Sequence, residues 1–223
     1  MRLRQKPWAD KEFSENPRFI SHPEKMRGMW ADLFEKQTQL HLELGCGKGK
    51  FIIENAQKNP NINFLAMEKQ ERILCMALRS AREADLPKNL YFFCEEAENL
   101  DKIFDLGELS RIYINFCDPW RAKGKWRKRR LTHRNFLDIY GRIMKNGQIH
   151  LKTDNIGLFR FSVAELEDTG WDIAALTYDL HSSNHTNNIK TEYEEKFSAL
   201  GTPICKLIAF KEKTPPCQPE EAL

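Results

Sequence analysis

The residues best suited to chemistry lie between Leu40 and Phe51, in LHLELGCGKGKF. An apolar alternation carries Glu43, and glycines then stand at every second position, Gly45, Gly47 and Gly49. Glycines spaced this way at a strand-to-helix turn allow left-handed backbone and close approach of a ligand. Three ligand classes use such turns. A phosphate loop needs GxxxxGK followed by Ser or Thr, but here Lys48 and Lys50 are followed by Gly49 and Phe51. A dinucleotide fingerprint needs a third glycine where Lys50 stands. What remains is an acid followed by alternating glycines. A carboxylate at Glu43 attracts an ammonium group and repels a pyrophosphate.

A second acid, Glu68, closes the next apolar run, NFLAMEK. An acid at that strand end is the usual partner of a ribose diol. A ligand with a ribose and an ammonium group but no phosphate is S-adenosylmethionine, its amine near Glu43 and its ribose near Glu68. The competing possibility is a tight turn that holds nothing, and the two matched acids favour the ligand. The third strand ends in YFFCEEAENL, where an acid can accept from an adenine amino group; Glu96 is the first candidate and Glu95 the second. The fourth, RIYINF, runs into Cys117, Asp118, Pro119 and Trp120, which can hydrogen-bond a flat base and stack on it.

These residues need a scaffold that brings strand ends together. Short β-prone runs occur at 39–44, 62–68, 89–94, 110–116 and 148–153, separated by helical stretches at 50–59, 70–85 and 132–146. Pro60 and Gly147 are the expected stops, and a helix over 156–169 is expected to end at Gly170. Strands alternating with helices predict an α/β fold with a parallel sheet covered on both faces. The last third changes rhythm: a strand at 171–179, a polar loop, a short helix near 192–200 and a closing strand at 203–210. Residues 1–36 read as a basic arm followed by an amphipathic helix from Pro23 to about Phe34, 37–210 as the main domain, and 211–223 as a disordered tail.

Composition narrows the class. The chain has 223 residues, 41% hydrophobic and 30% charged, which is ordinary globular usage. No apolar run reaches the roughly 20 residues of a membrane span, and the N-terminal stretch lacks a signal-peptide core. A cytoplasmic protein is expected. The six cysteines are scattered without a CxxC pair, so neither a disulfide framework nor a zinc knuckle is indicated. No metal is expected either, since His181 and His185 stand in a Ser/Asn-rich loop without clustered partners. The net charge is +3, yet RAKGKWRKRR, residues 121–130, holds seven basic residues and no acid. The rest of the chain is therefore net negative. Arg121, Lys125, Arg127, Lys128, Arg129 and Arg130, leaving the edge that carries Asp118, predict an RNA-phosphate grip.

ELGCGKGKF, INFCDPW, KRRLT, HLKTDN and TEYEEKF follow one another at spacings that resemble the bacterial tRNA (guanine-N7-)-methyltransferases. The similarity covers about residues 1–210 and includes KPW at 6–8. It implies a class I methyltransferase (Rossmann-like) fold, a seven-stranded, mostly parallel sheet with the last strand antiparallel. It implies S-adenosylmethionine as methyl donor and N7 of the variable-loop guanine at tRNA position 46 as acceptor. It places cofactor contacts at Glu43, Glu68, Glu96 and Asp118, with Asp118 as the catalytic residue. Substrate contacts fall on Asp154, Thr191, Glu192, Tyr193 and Glu194, and on a lysine after Asp118-Pro119-Trp120. That lysine is Lys123, with Ala122 the other alignment, because the segment is one residue longer than the family pattern. The family also has Asp where Glu96 stands. Thr191 and Glu194 equally form a T-x-x-E capping box, and Asp154 equally suits a helix cap. Two other functions stay open: an amino-group nucleic-acid methyltransferase, whose DPPW motif differs by one proline, and a non-catalytic RNA-binding protein on the same fold. Monomer and homodimer are both compatible with the sequence.

Overall fold

The computed structural model describes residues 12–121, 123–183 and 188–211. The basic arm with Arg2, Arg4 and Lys6, the KPW motif, Ala122, His185 and the tail from 212 lie outside the described residues.

Among these residues one sheet of eight strands forms the centre: β1 (Phe19–Ile20), β2 (Leu40–Leu44), β3 (Asn63–Glu68), β4 (Leu90–Cys94), β5 (Leu109–Asn115), β6 (Met144–Thr153), β7 (Asp172–Thr177) and β8 (Cys205–Phe210). Their order is β1-β4-β3-β2-β5-β6-β8-β7. All pairs are parallel except those of β8, which runs antiparallel to both β6 and β7. The seven expected strands are present. The eighth is the two-residue β1 at the edge, inside what the sequence suggests is an arm; two residues are too short to show a period.

β2 and β3 are buried along their whole length, as central parallel strands must be when both faces are covered. The crossovers are α1 (Lys50–Lys58), α2 (Glu71–Glu83), α3 (Leu100–Ile103), α4 (Arg134–Ile143) and α5 (Ile156–Asp168), with α6 (Glu192–Ala199) before the last strand. Caps set the ends: Asn155 accepts from Leu158 N at 2.8 Å and Thr191 from Glu194 N at 2.9 Å, and α5 stops at Gly170, φ +74°. Two expectations need correction. The helix expected over 23–34 is a pair of 3₁₀ turns, Pro23–Met26 and Trp30–Leu33. They are separated at Gly28, φ +77°, where Glu108 accepts from the backbone N–H groups of Gly28 and Trp30. The helix expected to run to Gly147 ends at Ile143, and β6 begins at Met144, because Met144 already pairs with Leu109 of β5.

The apolar core is divided by the sheet. One cluster packs Leu40, Leu42 and Leu44 with Ile112, Ile114, Ile149 and Leu151 under α4 and α5. The other lies under α1 and α2 and reaches across the sheet only as far as Tyr113. Trp30 is fully buried in the first cluster, stacked on Phe104 at 5.3 Å and donating its indole N–H to Ile103 O at 3.0 Å. It fastens the N-terminal turns to the sheet. Trp30→Ala removes both packing and hydrogen bond, and urea denaturation should show a loss of about 3–5 kcal/mol.

Candidate active site

Between β2 and β5 the crossovers turn to opposite sides of the sheet, which opens a crevice at the strands' carboxyl ends. Two adjoining cavities occupy it and share Gly45, Ile73, Asn115 and Phe116. The first, about 250 Å³, is lined by Glu68, Glu95, Glu96, Asp118, Trp120 and Arg129 among others. The second, about 340 Å³, is lined by Glu43, Gly47, Lys48, Thr191, Glu192 and Tyr193 among others. Residues far apart in the sequence thus share one crevice.

The glycine loop is built from its own backbone. Gly45 N and Cys46 N both donate to Met67 O at 2.9 Å, joining β2 to β3, and Gly49 N donates to Cys46 O at 2.9 Å. Gly49, φ +85°, has no room for a side chain: a Cβ there would lie 3.0 Å from Ile53 and 3.1 Å from Ala77. Nothing lies within 4 Å of a Cβ placed on Gly45 or Gly47, so that part of the loop can be approached from the crevice.

Glu43 is 2% exposed. Its Oε1 accepts from Asn115 Nδ2 at 2.9 Å, while Oε2 is buried without a partner. Burial pushes this carboxyl up to about 8, although Asn115 and the nearby Lys152 ammonium oppose the rise. A buried carboxylate oxygen without a donor is rare in folded proteins, and what it lacks is a cation or a donor from the crevice. Glu68 accepts from Gly47 N at 3.2 Å and Gln70 N at 3.1 Å, which aligns it beside the loop. Of the two acids after β4, Glu95 is engaged by its own turn, accepting from Glu96 N and Asn99 Nδ2. Glu96 is exposed and lines the crevice, and its carboxylate makes no hydrogen bond or ion pair among the described residues.

The other wall comes from α6 and the end of β6. Tyr193 donates from its hydroxyl to Asp154 Oδ2 at 3.0 Å and packs its ring between Phe116 and Phe197. Glu192 pairs with Lys48 at 2.8 Å and Glu195 pairs with Lys50, so two lysines of the glycine loop hold the start of α6. Thr191 is the cap expected of it. Glu194 does not complete a capping box. It is fully buried, and its carboxylate takes Lys152 Nζ at 2.6 Å, Asn188 Nδ2 and His181 Nε2. It therefore faces the protein interior, behind the wall that Thr191, Glu192 and Tyr193 present.

Asp118 is exposed at the rim. The turn that carries it is bent unusually, with positive φ at Phe116 (+50°) and Trp120 (+27°), a conformation that persists only where surrounding structure enforces it. Arg130 does the enforcing: it is 5% exposed and donates to the carbonyls of Pro119 and Trp120, at 2.7 Å in the shortest case. Arg127 donates to Glu165 at 2.8 Å, and Arg134 forms three more bonds to the same carboxylate, one from its backbone N–H. Burial alone would raise Glu165, but these bonds hold it at about 2. The basic segment is thus split, a correction to its uniform assignment. Arg130 is buried and holds the turn, Arg127 is exposed yet tied to Glu165, and Arg121, Lys123, Lys125 and Lys128 are exposed. Arg129 lies 4.0 Å over the Trp120 ring, and Trp120 stacks on Trp126 with planes 10° apart. Lys123 precedes the 3₁₀ turn Gly124–Arg129 and does not line the crevice.

Sequence reasoning missed Asn115 and Lys152. Asn115 shares a strand face with Arg111 and Tyr113, and only its register beside Glu43 gives it a role. A lysine inside the apolar run of β6 is the available signal for the other, since cations are rarely buried unpaired.

Residues 37–207 match a methyltransferase family whose description reads "Putative methyltransferase". The chain is 44% identical over 211 residues to the tRNA (guanine-N(7)-)-methyltransferase of Listeria welshimeri, covering 94% of this chain and 98% of the relative. To the protein of the same description from Geobacillus thermodenitrificans it is 45% identical over 213 residues, 95% and 98% covered. Among solved structures, the 16S rRNA methyltransferase KamB superposes with a TM-score of 0.60 at 12% identity over 82% of this chain and 90% of that one. The cyclase SpnF superposes at 0.56 and 15% identity, over 85% and 81%. At such identities these structures speak for the fold alone.

The burial of Glu43 has a stability signature. Its folded-state value lies above that of an unfolded carboxyl, so ionising it costs stability progressively as pH rises from about 4.5 to about 8. Glu43→Gln keeps the acceptor for Asn115 and removes the ionisation. Thermal melts of the ligand-free protein should show the variant more stable than the parent at pH 8, by at least about 1 kcal/mol. At pH 5, near the start of that window, the difference should be several-fold smaller.

Proposed function

Because the chain belongs to the tRNA (guanine-N7-)-methyltransferase family, we propose that it methylates N7 of a tRNA guanine, at position 46 in the variable loop. The observation that carries this is the buried, unpartnered Glu43 oxygen in a crevice whose rim sets Trp120 and Arg129 beside Asp118. An orphan carboxylate and an open glycine loop fit S-adenosylmethionine, and they fit no phosphorylated cofactor. When bound, S-adenosylmethionine supplies an electrophilic methyl group on a sulfonium centre.

Each residue then has a definite task. Glu43 receives the ammonium group, and Glu68, already oriented by two backbone donors, offers its remaining lone pairs to the ribose hydroxyls. Glu96 serves the adenine in preference to Glu95, whose Oε1 is taken by its own turn. Guanine N7 has a lone pair and no hydrogen, so the chain need not supply a base. Alignment and exclusion of water are the larger part of its work. Asp118 and Asp154 stand where a carboxylate favours positive charge arriving on the purine and can accept from its N–H groups. "Catalytic" for Asp118 therefore means positioning and charge stabilisation. Tyr193 fixes Asp154, Thr191 and Glu192 complete the wall, and Glu194 contributes through Lys152 from behind it. Arg121, Lys123, Lys125 and Lys128 grip phosphates, and Trp120 with Arg129 offers a stacking surface beside Asp118.

Incubation with labelled methyl donor and tRNA, followed by nucleoside analysis, should yield N7-methylguanosine in the variable loop. A methylamino base would point to the amino-group enzyme, and no label to a binding protein. With about four phosphates neutralised, log affinity for tRNA should fall against log salt with a slope near −3 to −4. The double variant K125A/K128A should flatten that slope by about 2 without weakening cofactor binding, and a salt-independent affinity would refute the grip. Cofactor affinity, by calorimetry, should rise between pH 6 and 8 as Glu43 ionises, by at most about tenfold per pH unit. Glu43→Gln should abolish that dependence and weaken binding at pH 8 at least about tenfold, the scale of a charge-assisted hydrogen bond.

A further inference from the structure

On the α1/α2 side of the sheet the apolar layer ends at Tyr113. Beyond it that face turns polar on β2, β5 and β6, with His41, Arg111, Gln148 and His150, and β8 adds Lys206 next to Ile208 and Phe210. Beside Arg111, His150 and Lys206 lies a cavity of about 460 Å³, larger than either half of the active-site crevice, with which it shares only Phe51 and Asn115. Four cations line it, Lys58, Arg111, Lys152 and Lys206, and no acid does.

Two of those charges are compensated, Lys58 by Glu54 and Lys152 by Glu194. Two are not. Arg111 donates only to neutral groups, Tyr113 Oη at 3.2 Å and Gln148 Oε1 at 2.8 Å, and its Nε is buried without a partner. Lys206 makes no side-chain hydrogen bond or ion pair among the described residues; the carboxylate that acts on it, Glu194, is already paired with Lys152, which stands directly opposite Lys206 in the β6–β8 ladder. Like charges directly opposite on paired strands are destabilising. The two imidazoles do not add to the charge: burial first, and Arg111 second, hold His41 at about 3 and His150 at about 2. Both are neutral near pH 7; His41 spends its ring nitrogens on Tyr113 and Gln39, whereas His150 lines the cavity and uses only Nε2, on Gln148.

We propose that this cavity is an anion-binding site for a phosphate-class oxyanion, held by Arg111 and Lys206 with Tyr113 and His150 as neutral partners. Two uncompensated cations match the charge of about −1.5 to −2 that a phosphate monoester carries near pH 7, and a lone carboxylate would leave one cation unmatched. The guanidinium fork and the ammonium point charge are the two side-chain chemistries that recognise phosphate. The oxyanion can be free phosphate or part of an RNA. The site requires neither the methyl donor nor the acceptor guanine.

The test is calorimetry of inorganic phosphate and pyrophosphate with the full chain and the variants Arg111→Gln, Lys206→Gln and Lys88→Gln, the last a remote surface control. tRNA affinity is measured on the same four proteins. Binding of S-adenosylhomocysteine serves as the check that each is folded, and its failure in the parent would bear on the methyl-transfer proposal alone. Phosphate should bind the parent and the control equally and the two site variants at least tenfold more weakly. Should Arg111→Gln fail to fold, Lys206→Gln carries the comparison. Weakened phosphate binding with unchanged tRNA affinity identifies a free anion. Weakened tRNA affinity without measurable phosphate binding identifies an RNA phosphate. Equal affinities of parent and both site variants for phosphate and for tRNA overturn the site.

Discussion

The structure turns on an ammonium group buried under its last helix. Lys152 Nζ, on a residue 4% exposed, lies 2.6 Å from Glu194 and 2.8 Å from the carbonyl of Ile189. A buried ion pair of this kind is a poor source of net stability, because desolvating both charges offsets most of their attraction. Its effect is to specify geometry. Glu194 can be buried only if α6 starts where it does, and that start is what sets Thr191, Glu192 and Tyr193 along the crevice. Lys48 and Lys50 then reach α6 from the glycine loop. The same ammonium lies near enough to Glu43 to oppose its burial-driven rise. One cation thus holds one wall and tempers the acid at the floor.

The basic segment shows how a single composition divides into two tasks. Arg130 spends its donors on the carbonyls of Pro119 and Trp120, and Arg127 spends its own on Glu165. A guanidinium is suited to this, with a rigid fork of several donors that can satisfy a turn's carbonyls or a carboxylate together. The lysines of the segment, single flexible charges, remain in solvent. The strained turn at Trp120 therefore has its cause within the same ten-residue basic segment.

The two faces of the sheet are built on different terms. Under α4 and α5 the strands present apolar residues, mainly leucine and isoleucine. On the other face the carboxyl-terminal half carries Glu43, Asn115 and Lys152, with Lys206 of β8 opposite Lys152, and the amino-terminal half carries His41, Arg111 and Gln148. Alternation within each strand puts these residues on one face, and parallel or antiparallel register sets them side by side. The apolar side supplies most of the burial. The polar side gives up burial for sites.

Much of this was legible in the chain alone. Alternation and glycine punctuation located seven strands and five helices within a few residues, because central parallel strands must be apolar and helix stops need Gly or Pro. Glu43, Glu68 and the three glycines were legible because a strand-end acid and a left-handed turn leave residue-type signatures. The basic segment was legible as charge, though not as two tasks. What only the tertiary structure decided are pairings between residues distant in sequence: Asn115 with Glu43, Lys152 with Glu194, Arg130 with its own turn, and Arg111 beside an uncompensated Lys206. A periodic pattern tells which way a side chain points, whereas its partner depends on the order and register of strands, which long-range packing sets.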